Sequence, residues 1–425
     1  MLYSSYMEKQ NNHFDVIVIG GGASGLMAAG VATTQGSRVL LLEKNAQLGE
    51  KLKITGGGRC NITNAEYDTR ALLKHYGEGE QFLYSAFAQF GVKDTFTFFE
   101  SHGLPLVVQE RKRAFPQTER ALDVFSTLEK ILTINNVLVK TGVKVTNIEA
   151  KDGMIVGVTT KGATYTAKNY ILSTGGQSHP ETGSTGDGLK WLERLGHKVI
   201  PPKPSIVPLA VKEAWVKSLS GISLSFMRIT FYVDKQKKFK KLGKVLFTHF
   251  GLSGPLILNS ARKVDDLLHE GVVTATIDAY PDTDQGALEE KILKVFDANK
   301  NKMLKNIFEQ IVPDGMKDAI LNHLLSIDPD KKVHSITKEE RKQIATILKA
   351  LPLTITGLMG YDRAVVADGG VSLTEIDTRT MQSKLFSNLY ITGDLLHLDR
   401  QSGGYSLQLC WTTGFVAGTH ASKKS

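Results

Sequence analysis

The chain has 425 residues, 41% hydrophobic and 22% charged, which gives room for two or three domains with sizeable cores and excludes a disordered chain. No apolar run reaches the roughly 18 residues that span a bilayer. Two cysteines, Cys60 and Cys410, exclude a disulfide framework or a four-cysteine zinc site, so no metal is expected.

The opening MLYSSYMEKQNNH carries no hydrophobic signal segment, and the expectation is a protein of the reducing cytoplasm, with Met7 an alternative start. Residues 14–43 then predict strand, glycine turn, helix and second strand. Phe14 to Ile19 is a continuous apolar run of the kind buried in a parallel sheet. Gly20, Gly22 and Gly25 form G-x-G-x-x-G: the first permits the tight turn, the second lets backbone amides approach a pyrophosphate, and the third lets the helix pack on the strand. Arg38 to Leu42 is the second strand, closed by Glu43 about 20 residues after the glycines, the expected reach to a ribose hydroxyl pair. The whole constellation, rather than the glycines alone, points to a bound dinucleotide.

Residues 44–64 run through TGGGRCN, too glycine-dense for a regular element. Residues 70–135 have helical apolar spacing, interrupted by a turn at Gly103 and Pro105, and Val137 to Tyr170 reads as a β-meander ending in the buried strand YILSTGG. Residues 196–353 read as an insertion, strand-rich over 196–284 and helical over 285–353, which leaves 1–195 and 354–425 as the two parts of the nucleotide-binding domain. Within the insertion, KQKKFKKLGK (235–244) holds much of the +9 net charge. It is expected to be a solvated strand-to-strand turn, serving solubility or an anionic-substrate field, with a polyanion partner as the alternative; no helix-turn-helix, zinc-finger or RNA-motif signature accompanies it.

Three glycine turns, at 20–25, 174–176 and 393–394, each follow a short apolar strand. A nucleotide lying across a parallel sheet touches several strand ends, so three such turns suggest a ligand as extended as FAD. In LYITGD, Asp394 is placed to bond a ribityl hydroxyl, or else to cap the next segment. GGYS (403–406) opens the last helix, whose first amides would stabilise negative charge on the N1/O2 edge of a reduced flavin.

The segments KLKITGGGRCNITN (51–64), AFPQTERA (114–121), STGGQSHPETGSTGDG (173–188), PSIVPL (204–209), LFTHFGLSGPLIL (246–258), GGVSLTEIDTRTMQSKLFSNLYITGD (369–394) and GGYS (403–406) resemble the BaiN/RdsA-type NAD(P)/FAD-dependent oxidoreductases, also labelled aminoacetone-oxidase-family FAD-binding proteins. The resemblance covers nearly the whole chain. It implies an α/β fold: a glutathione-reductase-like FAD-binding Rossmann domain interrupted by an insert made of a β-barrel and a small helical bundle. It also implies that Gly20, Gly22, Ala23 and Ser24 hold the pyrophosphate, that Glu43, with Lys44 beside it, meets the adenosine ribose, and that Val145 contacts adenine. Lys51 and Thr55 to Arg59, Gly57 and Gly58 included, would line the flavin side; Thr174, Gly175, Gly176, Gly393 and Asp394 complete the cradle, with Gly404, Tyr405 and Ser406 at the ring. The chain departs from the family where Asp394 replaces Glu, His397 replaces Asp, Ser406 replaces Asn, and Asp368 stands in the run before Gly369.

Flavin chemistry asks little of protein acids, because the ring itself accepts and releases hydride. Arg59 is a candidate to stabilise an anionic flavin or substrate oxygen, with a structural ion pair as the alternative. His249, between a strand and the turn GLSG, is a candidate proton donor, with a packing role as the alternative. His397, Tyr405 and His179 are lesser candidates for the substrate side, and Cys60, without a C-x-x-C partner, reads as a packed residue. No second G-x-G-x-x-G appears in a β-α-β context, so NAD(P)H would dock only transiently. The expected function is hydride transfer between flavin N5 and a small organic substrate at the junction of the nucleotide domain and the insert. A flavin-containing nucleic-acid-associated protein and a non-catalytic flavoprotein sensor are the rivals.

Overall fold

The strand His13–Ile19, apolar and buried from Val16 to Ile19, runs through a seven-stranded sheet. The computed structural model describes residues 12–34 and 36–423; Met7 and most of the opening segment lie outside the described residues. Val39–Leu42 and Thr164–Leu172 pair with the first strand in parallel on its two sides. Leu138–Lys140 extends the sheet beyond Val39–Leu42, and Leu389–Ile391 joins the C-terminal half of Thr164–Leu172, both in parallel. The hairpin Val145–Lys151 with Met154–Thr160 is antiparallel and attaches to the N-terminal half of Thr164–Leu172.

Parallel strands this apolar need helices over their faces. The helix Ala23–Thr34 is buried from Ser24 to Ala32, so it carries no polar face. The terminal helix Tyr405–Ala421 lies against it. Gly414 and Gly418 make that approach possible: a Cβ on either would sit 2.5 Å from the carbonyl oxygen of Ser24 or Ala28. Glycine weakens a helix interior by about 1 kcal/mol, and here the close helix contact is what it permits. Trp411, fully buried, ties the same helix to the TGGGRCN loop by donating from Nε1 to the carbonyl of Ile62 at 3.0 Å.

Residues 70–135 contain the helices Glu80–Gln89, Val92–Ser101 and Ala121–Ile134, but also the short strands Leu106–Gln109 and Arg113–Pro116, which pair with each other and, through the second, with Thr63–Asn64. Strands this short leave no measurable alternation in the sequence.

The chain forms two compact units. One ends at Pro204 and resumes at Val365; the other is Ser205–Ala364. The second unit is a closed barrel in the order Leu209–Val211, Gly251–Ser253, Gln236–Thr248, Ser223–Val233, Val273–Asp278, Leu351–Leu358, with the last strand pairing back onto the first. Helices such as Gln285–Ala298 and Lys338–Lys349 form an excursion between the fifth and sixth barrel strands. The helices of that excursion begin at Gln285, and the strand Leu351–Leu358 belongs to the barrel and not to the nucleotide domain. Period reports element type, whereas strand closure is a long-range pairing that no local window contains. The lysine run also differs from the expected turn. Only Asp234 and Lys235, both left-handed, make the turn, and Lys237, Lys240, Lys241 and Lys244 stand exposed along the strand Gln236–Thr248. Among the described residues, no helix is long and apolar enough to cross a membrane.

Candidate functional site

The strands that carry the three glycine turns end level with one another: Ile19 is opposite Leu172, which is opposite Ile391. The next residues are therefore side by side, and the turns at 20–25, 174–176 and 393–394 meet at one edge of the sheet. At one glycine of each turn the spacing leaves no room for a side chain. A Cβ on Gly20, whose φ is +105°, would lie 2.5 Å from the Ser173 carbonyl oxygen; one on Gly393 would lie 2.9 Å from Ser24 Oγ, and one on Gly176 would lie 3.1 Å from the Asp394 carbonyl oxygen. Over these turns opens a cleft of about 890 Å³. A smaller pocket of about 410 Å³ adjoins it and shares Gly20, Glu43, Thr174 and Gly183 with it. This is the edge at which open α/β sheets bind ligands.

At the fingerprint end the cradle is mostly backbone. Gly22 lines the cleft, and a Cβ there would meet no protein atom within 4 Å. The helix begins directly after it, with the Leu26 amide donating to the Gly22 carbonyl at 2.9 Å, so the Ala23 amide is left for an anion while that of Ser24 is shared with the Cys410 sulfur. Glu43 is buried; its Oε2 accepts from the Gly21 amide at 2.7 Å and its Oε1 from the Asn45 amide at 2.8 Å. A carboxylate accepts about four hydrogen bonds, so these two leave capacity for ribose hydroxyls. Val145 and Lys44 line the smaller pocket. Lys44 is held by Asp187 at 2.9 Å and Thr185 at 2.6 Å. Burial pushes the Asp187 carboxyl up, but the bonds from Lys44 and Thr185 prevail and hold it below the usual range. Thr174 Oγ1, buried beside both pockets, has no hydrogen-bond partner.

At the far end the wall is made of side chains from remote segments. Lys51, on the short helix Glu50–Ile54, donates to Ser178 Oγ at 3.0 Å; burial lowers its ammonium pKa, against the opposing pull of Asp394. Thr55, Asp394 and Ser406 also line the cleft. The terminal helix starts at Gly404 with no side-chain cap, so its first amides are unspent. Gly404 is required for another reason: at φ +104°, its Cβ would lie 2.3 Å from the Thr63 backbone. Tyr405 turns away from the cleft and stacks on His75 at 4.5 Å.

Gly57, Gly58 and Arg59 are not part of the cleft lining. Gly56, Gly57 and Gly58 are all left-handed and exposed, and Arg59 is turned to Glu119, donating from Nε at 2.9 Å and Nη2 at 2.6 Å, with its guanidinium over the Phe115 ring at 4.4 Å. His249 belongs to the barrel unit, exposed in the turn before Gly251–Ser253 and edge-on to Phe250. His179 pairs with Glu181 at 2.7 Å, and His397 buries Nδ1 without a partner. Burial pushes the thiols of Cys60 and Cys410 up to about 12, so both stay protonated.

Three contributors were not singled out in sequence: Ser178 and Asp187, inside the 173–188 segment that marks the family, and Arg400, which lies outside every quoted motif. Arg400 is the most connected of them, donating to Ser406 Oγ, to the Leu398 carbonyl and to Asp394. It stands in DRQSGG, a polar stretch that reads as loop.

The vacancy at Gly22, the unpartnered Thr174 hydroxyl and two unspent helix N-termini fit an extended anionic dinucleotide such as FAD. The family model described as HI0933-like protein Rossmann domain matches residues 14–420. The 3-dehydro-bile acid delta(4,6)-reductase of Clostridium scindens is 28% identical over 414 residues, covering 96% of this chain and 98% of that protein. A ribosomal RNA dihydrouridine synthase of Haemophilus influenzae is 28% identical over 418 residues, with coverage of 96% and 98%. Among solved structures, 3-ketosteroid-delta4-(5alpha)-dehydrogenase from Rhodococcus jostii RHA1 aligns with a TM-score of 0.55 at 15% identity, over 97% of this chain and 98% of that one, a likeness of fold.

Proposed function

The chain belongs to the HI0933-like Rossmann family of FAD-dependent oxidoreductases, and on that footing we propose that it reduces a carbon–carbon double bond conjugated to a carbonyl in an organic substrate, with NAD(P)H as transient reductant. The reading is carried by one cleft over three level strand ends, lined both by Gly22, where a Cβ would meet nothing, and by Thr174, whose buried hydroxyl has no partner. Two relatives with reductive names support it, one a delta(4,6)-reductase and the other a dihydrouridine synthase. Bound FAD supplies the hydride donor and acceptor. The chain supplies the cradle: Gly20, Gly22, Ala23 and Ser24 for the pyrophosphate, Glu43 for the ribose, Val145 for the adenine pocket, and Lys51, Thr55, Asp394 and Ser406 for the flavin end. Arg59 and His249 are the substrate-side groups in this reading. Arg59 orients a substrate oxygen only after giving up Glu119, and His249, exposed in its turn, protonates substrate only when a substrate or partner covers it.

The test is the absorbance spectrum of the purified protein, followed by anaerobic addition of NADH and NADPH. Flavin bands bleached by one nicotinamide are expected. A protein that shows no flavin absorbance even after reconstitution with FAD sinks the reading.

A second reading, with RNA as the substrate, rests on a specific observation: Lys237, Lys240, Lys241 and Lys244 stand exposed on one barrel strand, beside Lys238, which is paired with Glu270 at 2.7 Å. Phosphate contacts make affinity fall steeply with salt. RNA retention with a log–log salt slope near −3 to −4, reduced by charge-removing changes at these lysines, would favour it over a small substrate.

A further inference from the structure

Arg400 is almost entirely buried, with 1% of its side chain exposed. A guanidinium so placed needs every donor direction answered. Its Nη1 donates to the Leu398 carbonyl at 3.0 Å, its Nη2 to Asp394 Oδ1, and its Nε to Ser406 Oγ at 2.9 Å. Burial alone would work against the cation, but Asp394 foremost, with Cys410, Asp368 and Tyr76 nearby, keeps it protonated. Asp394 and Ser406 both line the cleft, one from the turn after Leu389–Ile391 and the other from the first turn of the terminal helix. Arg400 bridges the two.

The bridge fixes direction as well as position. A guanidinium has no lone pair, so a hydroxyl that accepts from it cannot donate back. Ser406 Oγ therefore spends an acceptor site on Arg400, and its own proton has no acceptor among the described residues. Asp394 is the complement: Oδ1 is taken by Arg400, and Oδ2 has no donor among the described residues. The wall of the cleft thus presents one oriented donor and one oriented acceptor, both unspent.

We propose that Arg400 is a positioning residue for the flavin, holding Ser406 as a hydrogen-bond donor to the ring edge that gains negative charge on reduction and Asp394 as an acceptor for a neighbouring hydroxyl. The proposal rests on the FAD reading above. Reduction places two electrons and one proton on the ring to give its anionic form, and a donor already aimed at that edge favours the reduced state without reorganising. Lysine at 400 keeps the charge but not the planar fork that reaches two partners at once.

The experiment uses the full chain reconstituted with FAD, as wild type, Ser406→Ala, Arg400→Lys and the double variant. The readouts are FAD affinity by fluorescence quenching, the two-electron midpoint potential, and thermal unfolding. Ser406→Ala leaves the buried Arg400 Nε without its acceptor and is expected to unfold somewhat below wild type while still folding, to bind FAD about fivefold more weakly, the effect of one hydrogen bond, and to move the midpoint to a more negative potential. Arg400→Lys is expected to move the midpoint in the same direction, and to add nothing once Ser406 is already Ala. A midpoint unmoved by Ser406→Ala overturns the proposal. So does an Arg400→Lys shift that is equally large in the Ser406→Ala background, since the guanidinium would then act by a route that bypasses the hydroxyl. Failure of wild type itself to bind FAD would instead count against the FAD reading, which separates the two.

Discussion

The two ends of the cleft are built in different ways. At the fingerprint end the wall is backbone: glycine turns, helix amides, and a glutamate whose oxygens are held by the amides of Gly21 and Asn45. At the far end the wall is side chains, with Lys51 brought from a remote segment to Asp394 and Ser406, and the latter two fixed by one buried arginine. A backbone cradle follows from strand ends and turn geometry, so any chain with this β-α-β order makes it. A side-chain wall must be assembled, and it can differ between relatives without altering the fold. The contrast teaches where this chain has room to specialise.

The sharpest way to test the contrast is within the fingerprint itself. A Cβ at Gly25 would lie 1.9 Å from the Gly20 carbonyl oxygen, a backbone clash, while one at Gly22 would meet nothing. Gly25→Ala is expected to cost more than about 4 kcal/mol and to yield little folded protein. Gly22→Val is expected to cost about 1 kcal/mol, as a poor residue before a helix, while losing FAD retention altogether. Thermal unfolding and flavin content of the two variants check this; normal flavin content in Gly22→Val would remove the pyrophosphate from that turn.

A smaller effect is expected at Thr174, between the ends. Its hydroxyl is buried without a partner, so the isosteric Thr174→Val change should leave stability unchanged or raise it by up to about 1 kcal/mol while weakening FAD about fivefold. Denaturant unfolding and FAD titration separate the two. Lower stability with unchanged affinity would mean that the hydroxyl serves the fold and not the ligand.

The smallest effect lies outside both ends. His197 Nδ1 is 2.8 Å from Glu375 Oε2, and its Nε2 is 3.0 Å from Ser383 Oγ. The order Ser–His–Glu looks nucleophilic, but Ser383 is buried and its oxygen already accepts from the amides of Leu385 and Phe386. It is a clamp between chain segments. Burial lowers the imidazole pKa below its ordinary 6.5, despite the opposing pull of Glu375. The unfolded chain then takes up a proton that the folded one refuses, so this contribution is complete above pH 6.5 and is lost as pH falls through 6.5 toward the folded value. Stability of the wild type should drop over that window, and His197→Gln should flatten the drop. Identical pH profiles would show that Glu375 and Ser383 hold the ring equally well in both protonation states.

The fingerprint end was legible because its logic is local. Val16 to Ile19 must be buried strand, Gly20 and Gly25 leave no space for side chains, and Glu43 follows within one β-α-β unit. The turns at Thr174 and Gly393 were legible one at a time, each as a strand meeting glycine, and their meeting follows from parallel pairing. At the far end, Asp394 and Ser406 read in sequence as two separate departures from the family pattern. In the structure they are two partners of one arginine, which sat unnoticed in a polar loop. Arg59 shows the converse: a basic residue in a motif that marks the family, turned toward Glu119.

The sequence by itself determined the β-α-β cradle, the α/β class and the family, because hydrophobic period, glycine spacing and motif strings are properties of neighbouring residues. The tertiary structure alone decided that the barrel closes through Leu351–Leu358, that the lysine run lies along a strand, and that Arg400 joins Asp394 to Ser406 in the far wall of the cleft. Barrel closure is a pairing between strands distant in the chain, while Arg400, six residues from each partner, is held to them by a burial that no local pattern encodes.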